Sequence, residues 1–173
     1  MNFVFTPENQ KKADAYINQY PQGRQASAVL PLLDLAQRQS GGWLPTPVME
    51  AIAFMLEMPF IKVLEIASFY TMFNLKPVGS YHLQICGTTP CWLRGSDDLK
   101  KTCEHHLKIK AGETTKDQKF TLSEVECLGA CINAPVMQIN DDYYENLSLS
   151  KIVELLENLP DKQPLPPKDV SDA

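Results

Sequence analysis

The sequence has no apolar run approaching the ~20 residues that span a bilayer, which excludes a membrane-crossing helix. It has no basic surplus either. The 16 Lys and Arg against 21 Asp and Glu leave a net charge of −5, and phosphate binding needs concentrated cations, so nucleic acid is excluded as the main partner. There is no Gly-x-Gly-x-x-Gly fingerprint, so nothing marks a dinucleotide site on this chain. No Cys-x-x-Cys occurs, which removes a thioredoxin-type redox disulfide. The segment Met1 to Glu8 has neither a basic start nor an apolar stretch, and is not the Arg- and Ser-rich type of a transit peptide. The expectation is a bacterial cytoplasmic protein, or a mitochondrial matrix protein if the chain is a processed form. What is present is the composition of a folded chain: 173 residues, 44% hydrophobic and 21% charged, enough for one ordinary domain or two small ones.

Two textures divide the sequence. In residues 1–76, Thr6-Pro7 reads as an N-cap with proline at the first helical position, and Ala13, Tyr16, Ile17 and Tyr20 follow on one stripe. Val29, Leu32, Leu33 and Ala36 mark a second helix that ends at Gly41-Gly42. Thr46-Pro47 repeats the cap pattern before Val48, Ala51, Ile52 and Met55, and Pro59 opens a fourth helix with Phe60, Val63, Leu64 and Ala67 on one face. Phe69, Tyr70 and Phe73 are expected to tie this helical region to the sheet domain.

In residues 77–159 the alternation of Tyr81, Leu83 and Ile85 with His82 and Gln84 predicts a strand running into Cys86. Ser96-Asp97-Asp98 starts a helix toward Lys108, and Phe120 to Glu126 is a second strand running into Cys127. Val136 to Ile139 and Tyr143-Tyr144 form a hairpin, and Ser148 caps a last helix with Leu149, Ile152, Val153 and Leu156 inward. The order β-α-β-β-α is that of a small thioredoxin-like sheet. Residues 160–173 are a Pro-rich tail, expected to be disordered or to lie along a partner. The fold class is α+β, a helical bundle followed by a thioredoxin-like α/β domain.

The five cysteines, odd in number and with no export signal, point to metal rather than disulfides. Cys86-x4-Cys91 and Cys127-x3-Cys131 each follow a predicted strand, in loops rich in small residues, so two strand ends can offer two thiolates each to a common point. A [2Fe-2S] cluster carries about −2 with its thiolates and about −3 once reduced, so its site must supply compensating N–H groups. Gly87, Gly129 and Ala130 let backbone come close, Thr88 and Thr89 add hydroxyls, and Pro90 contributes shape alone. Structural zinc also takes four cysteines and stays open as an alternative, although its knuckles mostly use shorter gaps. A Rieske cluster needs two His ligands, and His82, His105 and His106 all lie outside both loops. Cys103 reads as a buried small hydrophobe within a helix, and His105-His106 as a solvated helix end. Trp92 and Leu93 are expected to pack, with shielding of the cluster or anchoring of a partner as the alternative, and the pair Tyr143-Tyr144 to pack in its strand.

The runs Phe69-Tyr70-Thr71-Met72-Phe73-Asn74, Cys86-Gly87-Thr88-Thr89-Pro90-Cys91-Trp92 and Glu126-Cys127-Leu128-Gly129-Ala130-Cys131-Ile132-Asn133-Ala134-Pro135 closely resemble the 24 kDa (E) subunits of the proton-pumping respiratory NADH:quinone oxidoreductase, complex I. The resemblance covers about residues 5–160. It implies a helical region followed by a thioredoxin-like domain holding one [2Fe-2S] cluster on Cys86, Cys91, Cys127 and Cys131. It also implies a partner, a flavoprotein subunit carrying FMN and NADH, within a peripheral arm on the cytoplasmic side of the membrane. No catalytic residue and no substrate site is expected on this chain. Related subunits serve in the diaphorase modules of NAD-linked hydrogenases and formate dehydrogenases, and the motifs do not separate the three. A zinc-stabilised scaffold and a free-standing ferredoxin are the other readings, the latter disfavoured because a diffusing carrier needs no helical arm.

Overall fold

A computed structural model describes residues 3–160, which form two compact units, one up to Pro77 and one from Val78.

The first unit is helical: α1 (Pro7–Ile17), α2 (Val29–Gln39), α3 (Thr46–Met55) and α4 (Phe60–Phe69). Thr6 caps α1, its hydroxyl accepting the Asn9 N–H at 3.3 Å. Thr46 does not act alike. Pro45 holds the cap position of α3 and Thr46 is already helical, with no side-chain cap bond. A 3-10 turn, Gln25–Ala28, leads into α2. The α2 end is closed by Gly41 and Gly42, both with positive φ, and the Gly42 N–H returns to Gln37 O at 2.9 Å. The apolar stripes read from the sequence meet in one core, where Leu32, Leu33, Ala36, Val48, Ile52, Val63 and Ala67 are buried. Tyr20 lies beyond the end of α1 and on the surface. Phe73 is buried in this same core, while Phe69 and Tyr70 are exposed. Asn74 closes the unit: its N–H donates to Gln37 Oε1 at 2.7 Å, its side-chain amide to Gly42 O at 2.8 Å, and its carbonyl accepts from Leu44 at 2.8 Å.

The second unit holds a four-stranded sheet in the order β2-β1-β3-β4. Its strands are β1 (Tyr81–Cys86), β2 (Phe120–Val125), β3 (Met137–Ile139) and β4 (Asp142–Tyr144), and its helices α5 (Thr89–Leu93), α6 (Ser96–Leu107) and α7 (Leu149–Asn158). β1 pairs parallel to β2, with Cys86 opposite Val125, and antiparallel to β3. The alternation of β1 sends Tyr81, Leu83 and Ile85 into a core shared with Leu99 and Cys103 of α6 and with Ile152 and Leu156 of α7. Ser148 caps α7 through the Lys151 N–H at 3.3 Å, and Ile152 and Leu156 face the core as read, but Leu149 at the start of the helix is exposed. Most of the tail lies outside the described residues. Pro160, its first residue, accepts the Tyr81 hydroxyl at 3.0 Å.

Candidate metal centre

Because β1 and β2 run parallel, their C-terminal ends reach the same edge of the sheet. Cys86 is the last residue of β1, and its N–H donates to Val136 O at 3.2 Å. The chain then turns, with Gly87 N–H on Val125 O at 3.0 Å. A Cβ at Gly87 would collide with the Glu124 carboxylate, which Lys100 holds at 2.8 Å. Cys91 does not sit in a loop, as its spacing suggests, but on the short helix α5. Pro90 lies in its first turn, where a missing N–H costs nothing. Periodicity is blind to an element this short.

The second pair follows β2. Gly129 takes φ +82° between Cys127 and Cys131, and a 3-10 turn spans Cys131–Asn133 before a cis Ala134–Pro135 bond. Three contacts brace this loop from the far side. Tyr143 donates its hydroxyl to Leu128 O at 3.0 Å, Asn133 Nδ2 donates to Glu145 Oε2 at 2.6 Å, and Asn146 N–H donates to Asn133 O at 2.8 Å. Tyr143 is therefore not the packing residue expected from the sequence. Its ring is 49% exposed and its hydroxyl holds the loop, a tertiary contact with no local signal. Trp92 and Leu93 are likewise not packed but 58% and 70% exposed, and Ile132 beside Cys131 is 91% exposed.

The four thiols come as two pairs of different character. Cys86 and Cys91 are buried beside Ala134 and Val136, whereas Cys127 and Cys131 are exposed, with their sulfurs 3.5 Å apart. Burial pushes the Cys86 thiol up, but the Thr88 hydroxyl at 3.2 Å and the N–H groups of Leu128 and Thr88 outweigh it, so the net shift is down. Burial and the hydrogen bond with Cys86 raise Cys91 to about 11, and the Val136 N–H offsets this in part. Cys127 is held low by the Gly129 N–H at 3.4 Å and by the Cys131 thiol, and Cys131 is raised by that same bond. The Thr88 hydroxyl reaches Cys86 and Cys127, and Cys86 and Cys131 feel each other's charge, so the two pairs share one electrostatic neighbourhood. Among the described residues no three His, Cys, Asp or Glu side chains are grouped as ligands of a single metal ion; the thiols stand two and two. Cys103, on α6, is fully buried in the core of the sheet unit, away from both loops. His105, in the last turn of α6, is exposed.

The donor set, four thiols with backbone N–H and hydroxyl groups turned on the sulfurs and no imidazole among them, fits an iron-sulfur cluster. The sequence model of the thioredoxin-like [2Fe-2S] ferredoxins matches residues 13–160. The chain belongs to that family. The E subunit of the NADH-quinone oxidoreductase of Rickettsia conorii is 61% identical over 158 residues, covering 91% of this chain and 95% of that one. The mitochondrial NADH dehydrogenase [ubiquinone] flavoprotein 2 of Dictyostelium discoideum is 50% identical over 162 residues, covering 94% of this ferredoxin-family chain and 66% of its own. Among solved structures, an NAD+-reducing [NiFe]-hydrogenase in its H2-reduced state matches 75% of this chain and 22% of that chain, with a TM-score of 0.66 and 21% identity, a likeness of fold. Among the described residues no helix is long and apolar enough to cross a membrane.

Proposed function

We propose that this chain is the electron-transfer subunit of a proton-pumping NADH:quinone oxidoreductase, with one [2Fe-2S] cluster held by Cys86, Cys91, Cys127 and Cys131. The observation that carries the reading is the pair of cysteine loops at one sheet edge, in a chain 61% identical to the Rickettsia conorii protein over 95% of that protein's length. When bound, the cluster supplies reversible one-electron chemistry. The chain's own work is electrostatic and positional. The buried pair, Cys86 and Cys91, takes its thiolates out of water and has Leu128, Thr88 and Val136 N–H groups to offset their charge. The exposed pair, Cys127 and Cys131, leaves the outer side of the site open to a partner, with the Gly129 N–H as its donor. That partner is a flavoprotein subunit binding FMN and NADH, in a peripheral arm on the cytoplasmic side of the membrane. Substrate chemistry is left to that partner.

The zinc alternative is separated from this reading by composition. Anaerobic purification of the full chain is expected to give about two irons and two acid-labile sulfides per chain, with an EPR signal only after reduction. Stoichiometric zinc without sulfide would overturn the reading. The flavoprotein that co-purifies with the chain distinguishes a respiratory host from a hydrogenase or formate dehydrogenase. The 21% identity to the hydrogenase does not favour the second.

A further inference from the structure

Leu128 and Gly129 share one peptide group, and both of its ends are engaged. Leu128 O accepts the Tyr143 hydroxyl at 3.0 Å. The Gly129 N–H donates to Cys127 Sγ at 3.4 Å. A glycine at φ +82° gives this peptide little intrinsic preference, so its plane can flip and turn the carbonyl, rather than the N–H, toward the sulfur. The Tyr143 hydroxyl pins the carbonyl outward. It also polarises the amide, because hydrogen bonds in a chain strengthen one another by roughly 10–30%. Tyr143 comes from β4, a strand that contributes no cysteine, and its half-exposed ring is not held there by burial.

We propose that Tyr143 is a positioning residue that raises the cluster's reduction potential by fixing and polarising the Leu128–Gly129 peptide against the Cys127 sulfur. The proposal rests on the reading of Cys127 as a cluster ligand. Reduction adds one electron, from the flavin in the complex or from dithionite in a titration, and no bond breaks. The added negative charge falls partly on the thiolate sulfurs, where the Gly129 N–H compensates it.

The test is an EPR-monitored redox titration of the full chain and of Tyr143→Phe, with iron and sulfide measured on each sample. The expected result is unchanged iron and sulfide, with the reduction equilibrium constant lowered at least about twofold, or about 18 mV at 59 mV per decade for one electron. Tyr144→Phe, on the same strand, should leave the potential in place. A fully loaded Tyr143→Phe with the wild-type potential overturns the proposal, and so does an equal shift in Tyr144→Phe. If Tyr143→Phe holds no cluster, site-specific 3-fluorotyrosine at position 143 decides, because it keeps the ring and sharpens the donor. Its potential must then rise, and no rise overturns the proposal. A wild-type chain without iron and sulfide overturns the ligand assignment itself, and this proposal with it.

Discussion

Cys103 shows what burial, helped by the Glu104 charge beside it, does to a thiol. It is fully buried, and the apolar surroundings push its pKa up to about 12, so it stays a neutral, inert side chain. Cys103→Ser is expected to cost about 1–3 kcal/mol in chemical denaturation, since a hydroxyl there has no water to bond, and to leave the cluster absorption spectrum unchanged. Cys86→Ser and Cys127→Ser should instead lower iron and sulfide content or move the potential. His82 carries the pH prediction. Burial depresses its pKa from 6.5 to about 4, beside the Ser123 hydroxyl at 2.8 Å. Folded His82 therefore holds a proton less readily than unfolded His82, and stability falls as pH drops from 6.5 toward 4. At pH 5 the loss is about 2 kcal/mol relative to neutral pH, and His82→Gln should remove that slope from the denaturation profile. Among single residues, cysteine spacing and the apolar setting of Cys103 were legible in the sequence. The exposure of Trp92 and Leu93 was not, because an apolar residue beside a cysteine loop reads the same whether it packs or faces outward. Nor was Tyr143, whose partner is 15 residues away.

At the scale of elements, local chemistry predicted what local chemistry decides. The period-two pattern of β1 and the Ser148 cap of α7 are written into neighbouring residues, and both form as read. Ser148→Ala should cost about 1 kcal/mol by thermal or chemical unfolding of the sheet unit, because the Lys151 N–H loses its acceptor. Helix α5 escaped notice because five residues cannot display a 3.6-residue period. Thr46 misled for the opposite reason. Threonine before proline satisfies the cap pattern, but the chain enters the helix one residue earlier, at Pro45.

Over the whole chain, each unit has its own core, one built from the four long helices up to Phe69 and one from the sheet with α6 and α7. Removing iron with a chelator is therefore expected to lower the melting temperature of the sheet unit, whose two cysteine loops lose their common tie, and to leave the helical unit's transition where it was. Calorimetry of the loaded and stripped chains checks this, and a single transition that shifts as one would contradict it. The parallel pairing of β1 with β2 also orders events in time. The first cysteine pair, ending on α5, is separated from the second by α6 and β2, and the register that sets Cys86 against Val125 exists only once that crossover has closed. Iron and sulfide offered to the nascent chain would meet two isolated thiol pairs. Offered to the finished sheet, they meet two thiol pairs held at one sheet edge. Uptake of iron and sulfide is therefore expected to track strand register, and a chain refolded without that register should take up neither.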